Sequence, residues 1–274
     1  MGEITREQFK HDGSPGGDGD VRLQLDGHIA ILYLNRPAAM NAFTADMGQQ
    51  WSEAYRRCDD DDQIRVIVVT GEGAAFCAGA DMSAGGGTFD RQGDMSFSSN
   101  PVLPAYKLRK PVIAAMNGHA VGLGFSLALQ CDFRIAADEG KYGLLQVTRG
   151  VLADGCTHWL LPRLVGMERA LEIMLLGDKM HGADLVERGL AMRSVPAERV
   201  LDTALELAGR LAAGSAPLVA AMAKQLMWRS HEMSVDEMEV LETRWLHHSM
   251  GRADAIEGGT AYAQRRAPQW TGRV

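Results

Sequence analysis

The sequence predicts an α/β protein with crossover connections, followed by a helical C-terminal region. Three observations carry that expectation. Apolar, β-branched runs such as "IRVIVVTG" (Ile64–Gly71) and "KPVIAAMNG" (Lys110–Gly118) read as strands buried on both faces. Small-residue turns and helix-like stretches follow such runs, the order strand, turn, helix that builds parallel sheets. From Ala197 onward the strand pattern stops and segments with helical apolar spacing replace it.

Residues 1–20 are polar and glycine-rich and read as a disordered tail. Val21, Leu23 and Leu25 alternate, Asp26-Gly27 marks a tight turn, and Ile29, Ile31 and Tyr33 alternate again, which is a hairpin signature. "NRPAAMNAF" is a loop, after which Thr44 caps a helix running to about Cys58. The acidic run Asp59–Asp62 reads as a solvated loop after that helix. Residues 83–104, long, small and polar, read as a flap beside a site or as a plain surface loop. "GFSLALQ" is helix-like and leads into the strand "CDFRIAAD", where Asp132 and Arg134 read as an ion pair or turn contacts. Helices are expected over Arg199–Ala213, Pro217–Ser230, Val235–Met250 and Arg252–Arg266, with "GSAP" and "HEMSVDE" as breaks. The division is a tail (1–20), an α/β core (21–197) and a helical region (198–274), whose apolar, methionine-rich faces suit packing against a second copy.

A chain of 274 residues buries enough surface to need no metal or disulfide. The net charge of −7 argues against a nucleic-acid partner. No run of about 18 apolar residues and no signal-peptide layout is present, so no membrane partner and a cytoplasmic location are expected. Cys58, Cys77, Cys131 and Cys156 lack C-x-x-C spacing and read as reduced thiols. His247-His248 has no third ligand at metal spacing, so no metal site is expected.

Two stretches stand out: "FCAGADM" (Phe76–Met82) and "NGHAVGLGFS" (Asn117–Ser126). Each is a small-residue turn after a strand, where the main chain approaches a ligand closely and free N–H groups point outward. Two such donors converging on one oxygen would stabilise an anion formed during reaction.

With "LNRPAAMNAF", "FCAGADM", "KPVIAAMNGHAVGLG", "CDFRIAA", "DGCTHWLLPRLVG" and "EGGTAYAQRRAPQWTG" in this order, the chain resembles the crotonase superfamily, the enoyl-CoA hydratase/isomerase group, from about Val21 to Val274. The resemblance implies a spiral of ββα units, a C-terminal helical region that forms a homotrimer or dimer of trimers, and an acyl-CoA substrate. Coenzyme A would enter as part of the substrate, with no further cofactor required. It assigns the oxygen-binding N–H groups to Ala80 and Leu123, the adenine pocket to Ala78–Asp81, and phosphate contacts to Arg36, Tyr262 and Arg265. Ala38 stands where relatives carry a lysine.

The two glutamates of a typical hydratase fall on Ser126 and Gln146 in this chain. A serine hydroxyl is a poor base unless activated, and an amide exchanges no protons near neutral pH. Asp154 matches a position where dienoyl-CoA isomerases and phenylacetate-pathway relatives carry a reactive aspartate. Its pKa would have to be raised by apolar neighbours such as Leu152, Trp159 and Leu160; the alternative is a turn residue before Gly155. His158, four residues on, and His119, beside the second turn, are lesser candidates. The expected activity is double-bond isomerisation of an enoyl-CoA with Asp154 as acid/base. A single-carboxylate hydratase and a non-catalytic acyl-CoA-binding protein stay open.

Overall fold

The computed structural model describes residues 19–83, 85–89 and 102–272. The chain runs β1 (Val21–Asp26), β2 (Ile29–Leu34), α1 (Ala45–Asp60), β3 (Val66–Gly71), β4 (Ala75–Cys77), β5 (Val112–Met116), β6 (His119–Val121), α2 (Leu123–Leu129), β7 (Phe133–Ala137) and β8 (Tyr142–Gly143). It continues through α3 (Thr157–Val165), α4 (Met167–Leu176), α5 (Gly182–Glu187), β9 (Arg193–Val195), α6 (Val200–Gly214), α7 (Pro217–Arg229), α8 (Val235–Ser249) and α9 (Ala253–Gln264). The larger sheet has the order β1-β2-β3-β5-β7-β9, with β1 antiparallel to β2 and all other pairs parallel. A smaller parallel sheet has the order β4-β6-β8.

The continuous apolar runs follow from burial on both faces. Ile67 and Val69 of β3 join Val112, Ala114 and Met116 of β5 in the main core. The alternate residues Val66, Val68, Ile113, Ala115 and Ile135 turn the other way, onto Val200, Ala204, Ala208 and Ala212 of α6. Small residues four apart on α6 let it lie close to the sheet. The first helix of the region expected from 198 onward is therefore the outer layer of the core. In contrast, α8 buries none of its residues, and Val235, Val240, Leu246 and Met250 are exposed.

The hairpin, the α1 cap and the four C-terminal helices lie where the sequence places them, each within a few residues. Thr44 Oγ1 accepts the Met47 N–H at 3.1 Å. Residues 1–18 and most of the 83–104 flap lie outside the described residues. The tail boundary moves, because the Asp20 carbonyl accepts the Asn35 N–H at 2.7 Å.

Two side-chain expectations are corrected. Asp59 is not part of a solvated run: its carboxylate accepts the Arg109 and Lys110 N–H groups and pairs with the Arg109 guanidinium at 3.0 Å. Asp132 and Arg134 are structural, but not as a pair. Asp132 binds Lys224 at 2.7 Å and the Trp228 indole N–H at 2.8 Å. Buried Arg134 donates to the carbonyls of Leu190 and Cys131. Among the described residues no helix is long and apolar enough to cross a membrane. All four cysteines are free thiols.

Candidate active site

Strands β4 and β6 are parallel neighbours, with Ala75 opposite His119 and Cys77 opposite Ala120. The turns that follow them, Ala78–Asp81 and Gly122–Leu123, therefore leave the same sheet edge side by side, at the carboxyl ends where α/β folds bind ligands. At Gly79 (φ 92°) a Cβ would lie 2.8 Å from the Val121 carbonyl oxygen and 3.8 Å from the Leu123 nitrogen. At Gly124 it would lie 2.3 Å from the Cys77 carbonyl oxygen. Only glycine permits this approach.

Five neighbouring amides in and beside the two turns are spent on the fold. Ala78 N–H donates to Met40, Asp81 N–H to Phe43, Gly122 N–H to Gly143, and the Phe125 and Ser126 N–H groups to Gly122. The N–H groups of Ala80 and Leu123 have no acceptor among the described residues. Leu123 opens α2, so its amide is an orphan by position, and its side chain is buried in the core. The donor expected at Leu123 is thus compatible with its side chain.

The "NRPAAMNAF" loop holds the first turn. Fully buried Asn41, in the left-handed region at φ 55°, gives its amide to the Glu72 and Ala75 carbonyls and accepts the Arg36 N–H at 2.8 Å. The Phe43 N–H reaches the Gly79 carbonyl at 2.7 Å. Arg36 pairs with Asp81 at 2.9 Å and with Asp20 at 3.7 Å, and donates to the Ala42 carbonyl. Its guanidinium therefore helps to hold the first turn. The Ser83 N–H, bonded to Asp81 at 2.9 Å, and then Arg36 hold the Asp81 carboxyl below its ordinary range. Ala38 is exposed and Ala78 half-buried. Tyr262 is 88% exposed and Arg265 ends α9; no hydrogen bond or ion pair joins either to the turns among the described residues.

Ser126 is fully buried and its hydroxyl donates to the Gly122 carbonyl, one helical turn back, at 3.3 Å. The Gln146 side chain lies beside the second turn, 3.9 Å from where a Gly122 Cβ would stand. Its Oε1 and Nε2 are both buried, and neither has a hydrogen-bond partner among the described residues. Asp154 is half-buried on a turn fixed from three sides. Thr157 bonds its carbonyl, the buried Gln130 amide holds the Gly155 carbonyl at 3.0 Å, and Tyr106 Oη donates to Cys156 Sγ at 3.2 Å. Gly155 has φ 67°. Asp154 is accordingly a turn residue in its main chain.

Of the apolar neighbours expected around Asp154, Leu160 is buried, Trp159 stacks against Tyr106, Trp228 and Arg163, and Leu152 is 78% exposed. Leu152 gives no enclosure within this chain. His158 is exposed on α3. His119 Nδ1 accepts the Lys141 N–H at 3.0 Å, and burial, followed by the charge of Lys141, lowers its pKa. Asn41 and Gln130, which position the two turns and the Asp154 segment, went unmarked in the sequence. A polar residue inside an otherwise apolar run was their only signal. Among the described residues no group of three or more His, Cys, Asp or Glu is placed to hold a metal.

Main-chain amides without a protein acceptor in two adjacent turns at the end of a parallel sheet form a candidate anion-binding site. The enoyl-CoA hydratase/isomerase family model matches residues 24–273, and the chain belongs to that family, the crotonase superfamily of acyl-CoA enzymes. It is similar to the crystal structure of a probable enoyl-CoA hydratase/isomerase from Mycobacterium abscessus, with 44% identity, a TM-score of 0.88, and coverage of 92% of this chain and 99% of that one. A probable enoyl-CoA hydratase of Mycobacterium tuberculosis is 34% identical, covering 92% of this chain and 98% of its own length. The carnitinyl-CoA dehydratase of Proteus mirabilis is 33% identical over the same shares.

Proposed function

We propose that this chain moves a carbon–carbon double bond within an enoyl-CoA, with Asp154 as the single acid/base. The thioester oxygen would sit between the N–H groups of Ala80 and Leu123. The Asp154 carboxylate takes a proton from the α-carbon, and the electron pair spreads through the conjugated system onto that oxygen. The carboxyl then delivers the proton to the γ-carbon as the thioester carbonyl re-forms, so no proton is gained or lost. Each oxyanion donor is worth roughly 3–4 kcal/mol to such an intermediate.

One observation carries the reading. Of the three positions that the family resemblance assigns to the reacting end of the substrate, Ser126, Gln146 and Asp154, the last alone carries a group that readily exchanges a proton near neutral pH. The Ser126 hydroxyl is bonded to its own helix and Gln146 is an amide. Hydration is the second reading, favoured by the relatives named hydratase and dehydratase. It would ask Asp154 to perform both proton transfers. Incubation with a β,γ-enoyl-CoA and, separately, with crotonyl-CoA distinguishes the two: the conjugated thioester absorbance rises on isomerisation and falls on hydration. Asp154→Asn should remove either activity by about 100-fold or more, a usual share for general acid/base catalysis. Near-full rate in that variant sinks the assignment. Adenine contact at Ala78–Asp81 and phosphate contact from Tyr262 and Arg265 belong to the same proposal. So does assembly as a trimer or dimer of trimers, which the uncovered apolar side of α8 supports and light scattering tests.

A further inference from the structure

We propose that Gln146 selects acyl-CoA substrates whose acyl chain carries a hydroxyl group, pairing its buried amide with that hydroxyl; this rests on the acyl-CoA reading of the two turns. Among the described residues, Gln146 is the side chain with two separate polar atoms, a donor and an acceptor, buried and unmet. Trp51 and Thr88 each leave a single atom unmet. The neighbouring groups do not relieve it. Ser126 spends its hydroxyl on the Gly122 carbonyl, and the Gly122 N–H goes to Gly143. Burying an amide without partners is costly, so such a group beside a candidate site calls for a partner, and a ligand group is one that would remove the cost.

The chemistry of the missing partner follows from the atoms. Oε1 needs a donor and Nε2 needs an acceptor, side by side. A hydroxyl supplies both. A carboxylate supplies acceptors alone, an ammonium donors alone, and a methyl group neither. The amide lies 3.9 Å from where a Gly122 Cβ would stand, and Gly122 directly precedes the Leu123 donor. On the acyl-CoA reading, a thioester held by that donor would carry the first carbons of its acyl chain past Gln146. A hydrocarbon chain in that place leaves the amide unpaired, and a site built to bond a hydroxyl discriminates strongly against the analogue lacking it.

The test is calorimetric binding of two pairs of saturated esters matched in heavy atoms, 4-hydroxybutanoyl-CoA against pentanoyl-CoA and 3-hydroxybutanoyl-CoA against 3-methylbutanoyl-CoA. In the wild-type chain the hydroxyl member of at least one pair should bind about tenfold tighter, the effect of one satisfied buried hydrogen bond. Gln146→Leu and Gln146→Met should bring that preference to about twofold or reverse it. Both should melt at or above the wild-type temperature, because an unpaired amide has been replaced by an apolar side chain. Equal binding within each pair overturns the inference while leaving the acyl-CoA reading intact. So does a preference that survives in both variants, or melting lowered by several degrees in both, which would reveal a structural partner for the amide. Failure of all four esters to bind overturns the acyl-CoA reading and the inference with it.

Discussion

Replacing Gly124 with alanine puts one methyl group where the two turns meet. Its carbon would stand 2.3 Å from the Cys77 carbonyl oxygen, and ordinary contact begins near 3.4 Å, a shortfall of about 1.1 Å. The Cys77 Cβ and Sγ, at 2.7 and 2.9 Å, block escape to the side. The contact is with backbone, so α2 and the end of β4 must separate by much of that distance. Leu123 directly precedes Gly124, so its N–H moves away from the Ala80 N–H. A misplacement of about 1 Å costs on the order of 100-fold in rate, and complete loss of one donor about 100- to 1,000-fold. The expected kcat is therefore about 100-fold lower on whichever enoyl-CoA ester the enzyme turns over, measured by the change in thioester absorbance. Gly209→Ala is the control: α6 has nothing within 4 Å of that position, and removing a helical glycine should raise stability by roughly 0.5–1 kcal/mol. Gly124→Ala working at the wild-type rate would show that the spacing of the two amides does not set catalysis.

Two further outcomes follow from buried groups. Burial pushes the thiols of Cys58, Cys77 and Cys131 up to about 12, and Cys156 is the exposed one, so a thiol reagent should label one cysteine in the native chain and four in denaturant; rapid native labelling of two or more contradicts the packing of those three. His119 has a folded pKa below its unfolded value near 6.5. Its contribution to stability is present in full above that value and is lost as pH falls through the folded one. NMR titration of the ring should give a midpoint below 6.5, and a midpoint above it would contradict the burial of the ring beside the Lys141 charge.

The fold was largely legible because its strongest signals are local. The alternation of β1 and β2, the apolar run of β3 and the helical spacing from Val200 onward are each set by which faces are buried. Helices α3, α4 and α5 had no such clear pattern, since they expose residues such as Met167, Leu171 and Leu175. In the site, glycines at Gly79, Gly122 and Gly124 announced the turns. Their mutual distance did not show, because β4 and β6 are brought together by pairing over a long stretch of chain. The Arg36–Asp81 clamp was hidden for the same reason. A charged side chain in a sequence does not announce whether its partner is a ligand or a distant carboxylate.

That long-range pairing also dictates when the two turns can come together. The Ala80 and Leu123 amides belong to segments that meet only after strands far apart in the chain have docked, and no local element preforms their spacing. Loop closure of that length is slow and cooperative. A nascent or truncated chain can hold native-like helices and still lack the paired turns on which the proposed activity depends. Competence should arrive late and all at once during refolding, lagging behind the recovery of helical signal.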